Sequence, residues 1–203
     1  MLRDAFLSLA TSHGGEPRTA ELWWQEVSTR YSEGHRHYHT LAHLGEMLAL
    51  LEGDSEAVLA AMFFHDVIYD RRGANEERSA DMAREALVDL HFSPEQVTLV
   101  ERLILATKTH APGDLPVETH VLLDADLAIL GAPRARYQQY IEGVRFEYAW
   151  VPEELFRSGR SGVLRAFLEK EHIFLTERFR ERFEAQAREN IAWELAGLGK
   201  EKA

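Results

Sequence analysis

The chain holds ten histidines and no cysteine, and four of the histidines fall in one short stretch, "HRHYHTLAHL" at residues 35–44. His39 and His43 stand four residues apart, so on a helix they lie one turn above each other and aim into one pocket. His35 and His37 precede the expected helix start near Tyr38 and read as solvated loop residues. In "AAMFFHDVIYD" the adjacent His65 and Asp66 interrupt a run otherwise suited to complete burial. A buried charge is costly unless paired or bound to metal. The doublet therefore needs a partner, unless it faces water or closes on itself as a hydrogen-bonded pair. In "VLLDADLAIL" a third apolar segment is interrupted by Asp124 and Asp126. Two residues apart on a helix, they point roughly 200° from each other, so only one suits a shared pocket. Asp126 is the candidate, and Asp124 is expected in a supporting or surface contact. With no thiolate on offer, imidazole and carboxylate must hold any metal, a donor set that suits Mn, Fe, Ni, Co, Zn or Mg. Two His and two Asp with open positions make a catalytic rather than a closed structural arrangement.

The elements that must position these residues read as helices throughout. Apolar residues recur at helical spacing and no segment alternates with period two over a strand's length, so the expectation is an all-α bundle. A helix is expected over 19–31, ended by Ser32–Gly34, and a second from near Tyr38 to Leu51, with Gly53 just past its end. Asp54 is placed to cap the next, "SEAVLAAMFFHDVIYD", the most apolar of the chain. Asn75 is placed to cap "EERSADMAREALVDL", and "SPEQ" at 93–96 carries a capping box with Pro at the first helical position. A loop follows at 111–116, then a helix through "VETHVLLDADLAIL" closed by Gly131, then helices at about 134–149, 152–170 and 172–196. No linker is long enough to split the chain, so one domain over 1–203 is expected. Trp23–Trp24 and Phe63–Phe64 read as core.

Composition narrows the partners. The net charge of −11 argues against a duplex-nucleic-acid surface or an anionic-membrane anchor, since both need clustered positive charge. No leader-like apolar segment follows Met1 and no apolar run reaches bilayer length, so a cytoplasmic protein is the expectation. Neither a Gly-rich phosphate loop ending in Lys-Ser/Thr nor a Gly-x-Ser-x-Gly elbow is present; "SGRSG" at 158–162 does not supply one.

The order H…HD…D on three segments resembles the HD-domain superfamily of metal-dependent phosphohydrolases. "RHYHTLAHL", "FHDVIYD", "NEERSA", "ATKTH", "LLDADLAILG", "VRFEY" and "GRSGVLRAFL" together look like the small bacterial proteins described as predicted metal-dependent HD phosphohydrolases, across most of residues 36–170. The resemblance implies an HD-type helical fold and His43, His65, Asp66 and Asp126 as ligands of one or two divalent ions. "YHTLAH" at 38–43 is also similar to the Tyr-His-Asn-x-x-His signature of cyclic-nucleotide phosphodiesterases, which makes His39 the proton donor to the leaving oxygen. Thr40 replaces the Asn, so cyclic-nucleotide specificity does not carry over.

Within that frame further residues become candidates. Glu76 is placed to orient water, Lys108 to contact a phosphate oxygen, and His110 to contact phosphate or a second metal. Arg145 and Arg160 are candidates for a bidentate phosphate clamp. Each has an ordinary alternative: acidic residues suit a helix start, cations suit a helix end, and both arginines have glutamates nearby. The expected activity is hydrolysis of a phosphate ester of a nucleotide or small metabolite, with water activated by the metal as nucleophile. The rivals are a catalytically silent nucleotide-binding sensor and a helical scaffold whose buried His and Asp pair with each other. Phe174, Phe179 and Phe183 on the last helix are expected to pack on the domain or on a second copy of the chain, a candidate homodimer.

Overall fold

A computed structural model describes residues 1–199. Among the described residues there are ten α-helices, two short 3-10 turns and no strand, as the periodicity predicts. The chain divides into two compact units, Met1–Leu123 and Asp124–Ala203, the division falling within a single helix. No described helix is long and apolar enough to cross a membrane.

The first unit contains α1 (Leu2–Ser12), α2 (Pro17–Arg30), α3 (Leu41–Leu50), α4 (Glu56–Phe64), α5 (Asn75–Asp89) and α6 (Pro94–Thr107). It is built around α4, which packs on α1, α3, α5 and α6. Val58, Ala61, Met62 and Phe63 have no exposed surface and Phe64 almost none, which is why this helix lacks a polar stripe. Burying each of the two phenylalanines contributes about 1.5–3 kcal/mol. Helix α1 lies outside the sequence expectation, although Leu2, Phe6 and Leu9 recur at helical spacing; Phe6 meets Phe63 edge-on at 5.1 Å.

Three helix starts differ from expectation, each for a local hydrogen-bonding reason. Helix α3 starts only after Thr40, whose extended backbone makes it the N-cap and whose hydroxyl accepts from the Ala42 N–H at 3.3 Å. His39 thus precedes the helix rather than sharing its face with His43. The cap of α4 is Ser55, not Asp54. Asn75 is the first residue of α5 rather than its cap. Its amide turns back to the Asp70 backbone, accepting from its N–H at 3.3 Å and donating to its carbonyl at 3.1 Å. The capping box at the start of α6 forms as predicted.

Helix α7 (Val121–Leu127), preceded by a 3-10 turn at Val117–Thr119, carries Asp124 and Asp126. The second unit continues through a 3-10 turn at Ala128–Gly131, α8 (Arg134–Glu147), α9 (Glu153–Glu169) and α10 (Glu177–Leu198). Helix α10 packs on the Ala128–Gly131 turn so closely that a Cβ on Gly131 would stand 2.6 Å from Phe183. Buried Asn190 donates to the Leu130 and Ala132 carbonyls, both at 2.8 Å. Phe174, Phe179 and Phe183 form one ring cluster within this unit, with centroids 5.6–6.3 Å apart.

Candidate metal centre

Helix α4 ends at Phe64, so the His-Asp doublet sits in the turn beyond it rather than inside the helix. A helix end suits a cation, because the last carbonyls are free and carry the negative pole of the helix dipole. One of these carbonyls also fixes the His65 ring. His65 Nδ1 lies 2.8 Å from the Met62 carbonyl oxygen, and a carbonyl only accepts, so Nδ1 carries the proton. In the neutral ring Nε2 is then the acceptor nitrogen.

That nitrogen faces two further polar atoms. Asp66 Oδ2 is 3.2 Å away and His43 Nε2, in the first turn of α3, is 3.3 Å away. His43 and His65 are almost fully buried, at 2% and 1% exposure. Two ring nitrogens and a carboxylate oxygen at such distances are satisfied by a shared proton or by a cation. Two nitrogens each 2.0–2.1 Å from a tetrahedral ion stand about 3.3 Å apart, so this spacing fits a pair of ligands to one ion. Half-buried Asp126 completes the set: it, His43 and His65 each offer one ligand atom, all within 4.8 Å of one another. Asp126 lies one turn beyond buried Leu122 and Leu123 on the same helix. These buried residues could hold a metal ion.

Asp124 faces the other way, as the spacing predicts, but it is no surface residue. It is fully buried and accepts from the Leu175 N–H at 2.7 Å, the Thr176 N–H at 2.8 Å and the Thr176 hydroxyl at 2.6 Å.

His39, though off the helix, still reaches the cluster. Its Nε2 is 3.8 Å from Asp66 Oδ2, its ring stacks on Tyr69 at 4.2 Å, and it is partly open to solvent. His35 and His37 are exposed loop residues, as expected.

The remaining candidates divide sharply. Lys108 caps the C-terminus of α6 and pairs with Glu77 of α5 at 2.5 Å, both side chains about half exposed. The Glu77 hydrogen bond raises the Lys108 pKa and lowers that of Glu77. This pair shows that the end of α6 meets the start of α5, the helix that follows the His-Asp turn. Glu76 and His110 neighbour this pair in sequence. His110 takes a left-handed backbone, φ 49°, just past α6. Arg145 and Arg160 are engaged elsewhere. Arg145 braces the turn between α8 and α9, donating to Glu153, the Tyr148 carbonyl and the Val151 carbonyl at 2.7–3.3 Å. Arg160 is buried against Glu194, with two bonds of 2.8 and 3.1 Å and a third to the Tyr140 hydroxyl at 2.9 Å.

Residue type and spacing mark neither Arg36 nor the tyrosines beside it. The Arg36 side chain has no exposed surface and donates to the backbone carbonyls of His39, Asp66 and Val67. Tyr31 accepts the Asp66 N–H at 3.2 Å, and burial pushes its hydroxyl pKa well up, so it stays protonated. An arginine among histidines in a polar stretch gives no periodic signal of burial. Comparison of the chain with family models and with curated proteins returns no match.

Proposed function

We propose that the chain is an HD-type metal-dependent phosphohydrolase acting on a phosphate ester of a nucleotide or similar small metabolite. One observation carries the reading: Nε2 of buried His65 faces both His43 Nε2 and Asp66 Oδ2 at 3.2–3.3 Å, and Asp126 joins the two histidines in a group whose ligand atoms all lie within 4.8 Å of one another. In this reading His43, His65, Asp66 and Asp126 hold the ion. A divalent ion there would polarise the phosphoryl group and make water more acidic.

The chain's own residues supply the rest. His39 is partly open to solvent and held between the Tyr69 ring and the Asp66 carboxylate, so it is placed to hand a proton to the leaving oxygen as the phosphorus–oxygen bond breaks. Lys108 is held by a single exposed carboxylate and can exchange that partner for a phosphate oxygen, whereas buried Arg160 cannot do so without stranding Glu194. Glu76 and His110, next to the Lys108–Glu77 pair in sequence, are the further candidates for orienting water and phosphate.

The test is metal content per chain by plasma mass spectrometry on tag-free protein purified without chelator, beside a His65→Ala/Asp66→Ala double variant. One or two equivalents of a transition metal in the parent, lost in the variant, is the expected result, followed by turnover in a phosphoester panel with that metal. Folded, metal-free protein even after incubation with Mn, Fe, Ni, Co, Zn or Mg would overturn the reading and make the His–Asp pairs core hydrogen bonds.

A further inference from the structure

We propose that Arg36 is the positioning residue of the metal centre, holding the Asp66 turn and the His39 loop in the register at which their side chains converge. The inference rests on the metal-site reading above. Four of the five guanidinium N–H groups are engaged: with Glu33 Oε2 at 3.1 Å, the His39 carbonyl at 3.2 Å, the Asp66 carbonyl at 2.6 Å and the Val67 carbonyl at 2.9 Å. A buried arginine paired with one partly exposed carboxylate and three neutral carbonyls is a costly device for holding a loop. The carbonyls it grips belong to the two segments that bring His39 and Asp66 together.

The neighbours act in the same sense. Tyr31 takes the Asp66 N–H while Arg36 takes its carbonyl, so both backbone polar groups of Asp66 are fixed by side chains from residues 31–36. The guanidinium lies 5.0 Å from the Tyr31 ring centre and 5.5 Å from that of Tyr69, and Tyr69 stacks on His39. A rigid planar fork thus links the backbone of the proton donor to the backbone of a ligand. Lysine would keep the charge, but as a point donor it cannot span the three carbonyls.

Cobalt titration of the full chain tests this, read by visible d–d absorption and by thermal melting, for the parent, Arg36→Lys and Tyr31→Phe. The expected result is Co²⁺ affinity reduced by roughly tenfold or more in Arg36→Lys, with an altered d–d band, and a smaller change of the same kind in Tyr31→Phe. Parent affinity and spectrum in both variants, with only the melting temperature lowered, would overturn the proposal and leave Arg36 as a fold residue. Should Arg36→Lys fail to fold, Tyr31→Phe decides, and an unchanged spectrum there also overturns it. A parent that takes up no Co²⁺ refutes the metal site itself, before any variant is compared.

Discussion

Asp124 Oδ2 accepts from both the backbone N–H and the hydroxyl of Thr176, at 2.8 and 2.6 Å, which makes a buried aspartate the anchor for the start of α10. Its other oxygen takes the Leu175 N–H, so both carboxylate oxygens are in use. Two residues further along α7, Asp126 stands with the histidines instead. The two aspartates therefore differ in what their loss costs. Asp124→Ala strands three donors and is expected to destabilise by about 3 kcal/mol or more, measured by urea unfolding, with metal binding weakened only as the fold loosens. Asp126→Asn is expected to cost less than about 1 kcal/mol in metal-free protein and to abolish stoichiometric metal uptake. Equal unfolding midpoints for the two variants would contradict this division.

His39 and His43 are four residues apart yet play different parts, because the Thr40 cap separates them: one lies in a loop open to solvent and the other in a buried helical turn. His39→Gln is expected to lower kcat by about 10²–10⁴-fold while metal content stays at the parent level, the usual range for a lost general acid. His43→Gln is expected to lose the metal and the activity together. Metal analysis alongside turnover separates the two, and loss of metal in His39→Gln would make it a ligand.

The all-α class, the SPEQ helix start and the opposite aims of Asp124 and Asp126 were legible because each rests on short-range periodicity or on a cap that involves only neighbours. The converging histidines and aspartates stood out as ionisable interruptions in apolar runs. What sequence pattern does not carry is the way the chain turns back on itself. Nothing local to Arg36 says that residues 66 and 67 will bring their carbonyls to it, and nothing local to Asn75 says that it will bind Asp70 rather than cap its own helix. Hydrophobic pattern predicts too late an end for α4, for a related reason. Apolar residues continue past Phe64 into Val67 and Ile68, both buried, so hydrophobicity gave no sign of the turn.

Asp70 ties that turn to α5. Its carboxylate receives two bonds from Arg78 and further bonds from Arg72, at 2.7–3.0 Å, and these hydrogen bonds hold its pKa far below the ordinary carboxylate range. A depressed folded-state pKa contributes stability that is fully present above the unfolded value of about 3.9 and is lost as pH falls below it. The side chain is 26% exposed, so solvent screens part of the effect. Asp70→Asn is expected to cost about 1 kcal/mol at pH 7 and to flatten the fall in stability between about pH 4 and 2. Parallel pH–stability curves for parent and variant would show that Asp70 contributes nothing to acid lability.

Lys108, a candidate contact to a phosphate oxygen, and Arg160, a candidate bidentate clamp, stand in opposite surroundings. Arg160 is 11% exposed and bonds both oxygens of Glu194, which is itself 5% exposed and also accepts from the Tyr137 hydroxyl at 2.5 Å. Arg160→Met removes the cation from a buried carboxylate and is expected to destabilise by about 3–5 kcal/mol, without a specific rise in KM for substrate in whatever remains folded. Lys108 makes a surface ion pair, and such pairs contribute little because water screens them and two flexible side chains must be ordered. Lys108→Met is thus expected to leave the melting temperature nearly unchanged while raising KM more than it lowers kcat, as loss of a phosphate contact that binds ground and transition states alike requires. Steady-state kinetics and thermal melts on the two variants check both halves, and an unchanged KM in Lys108→Met would return Lys108 to a purely structural pair with Glu77.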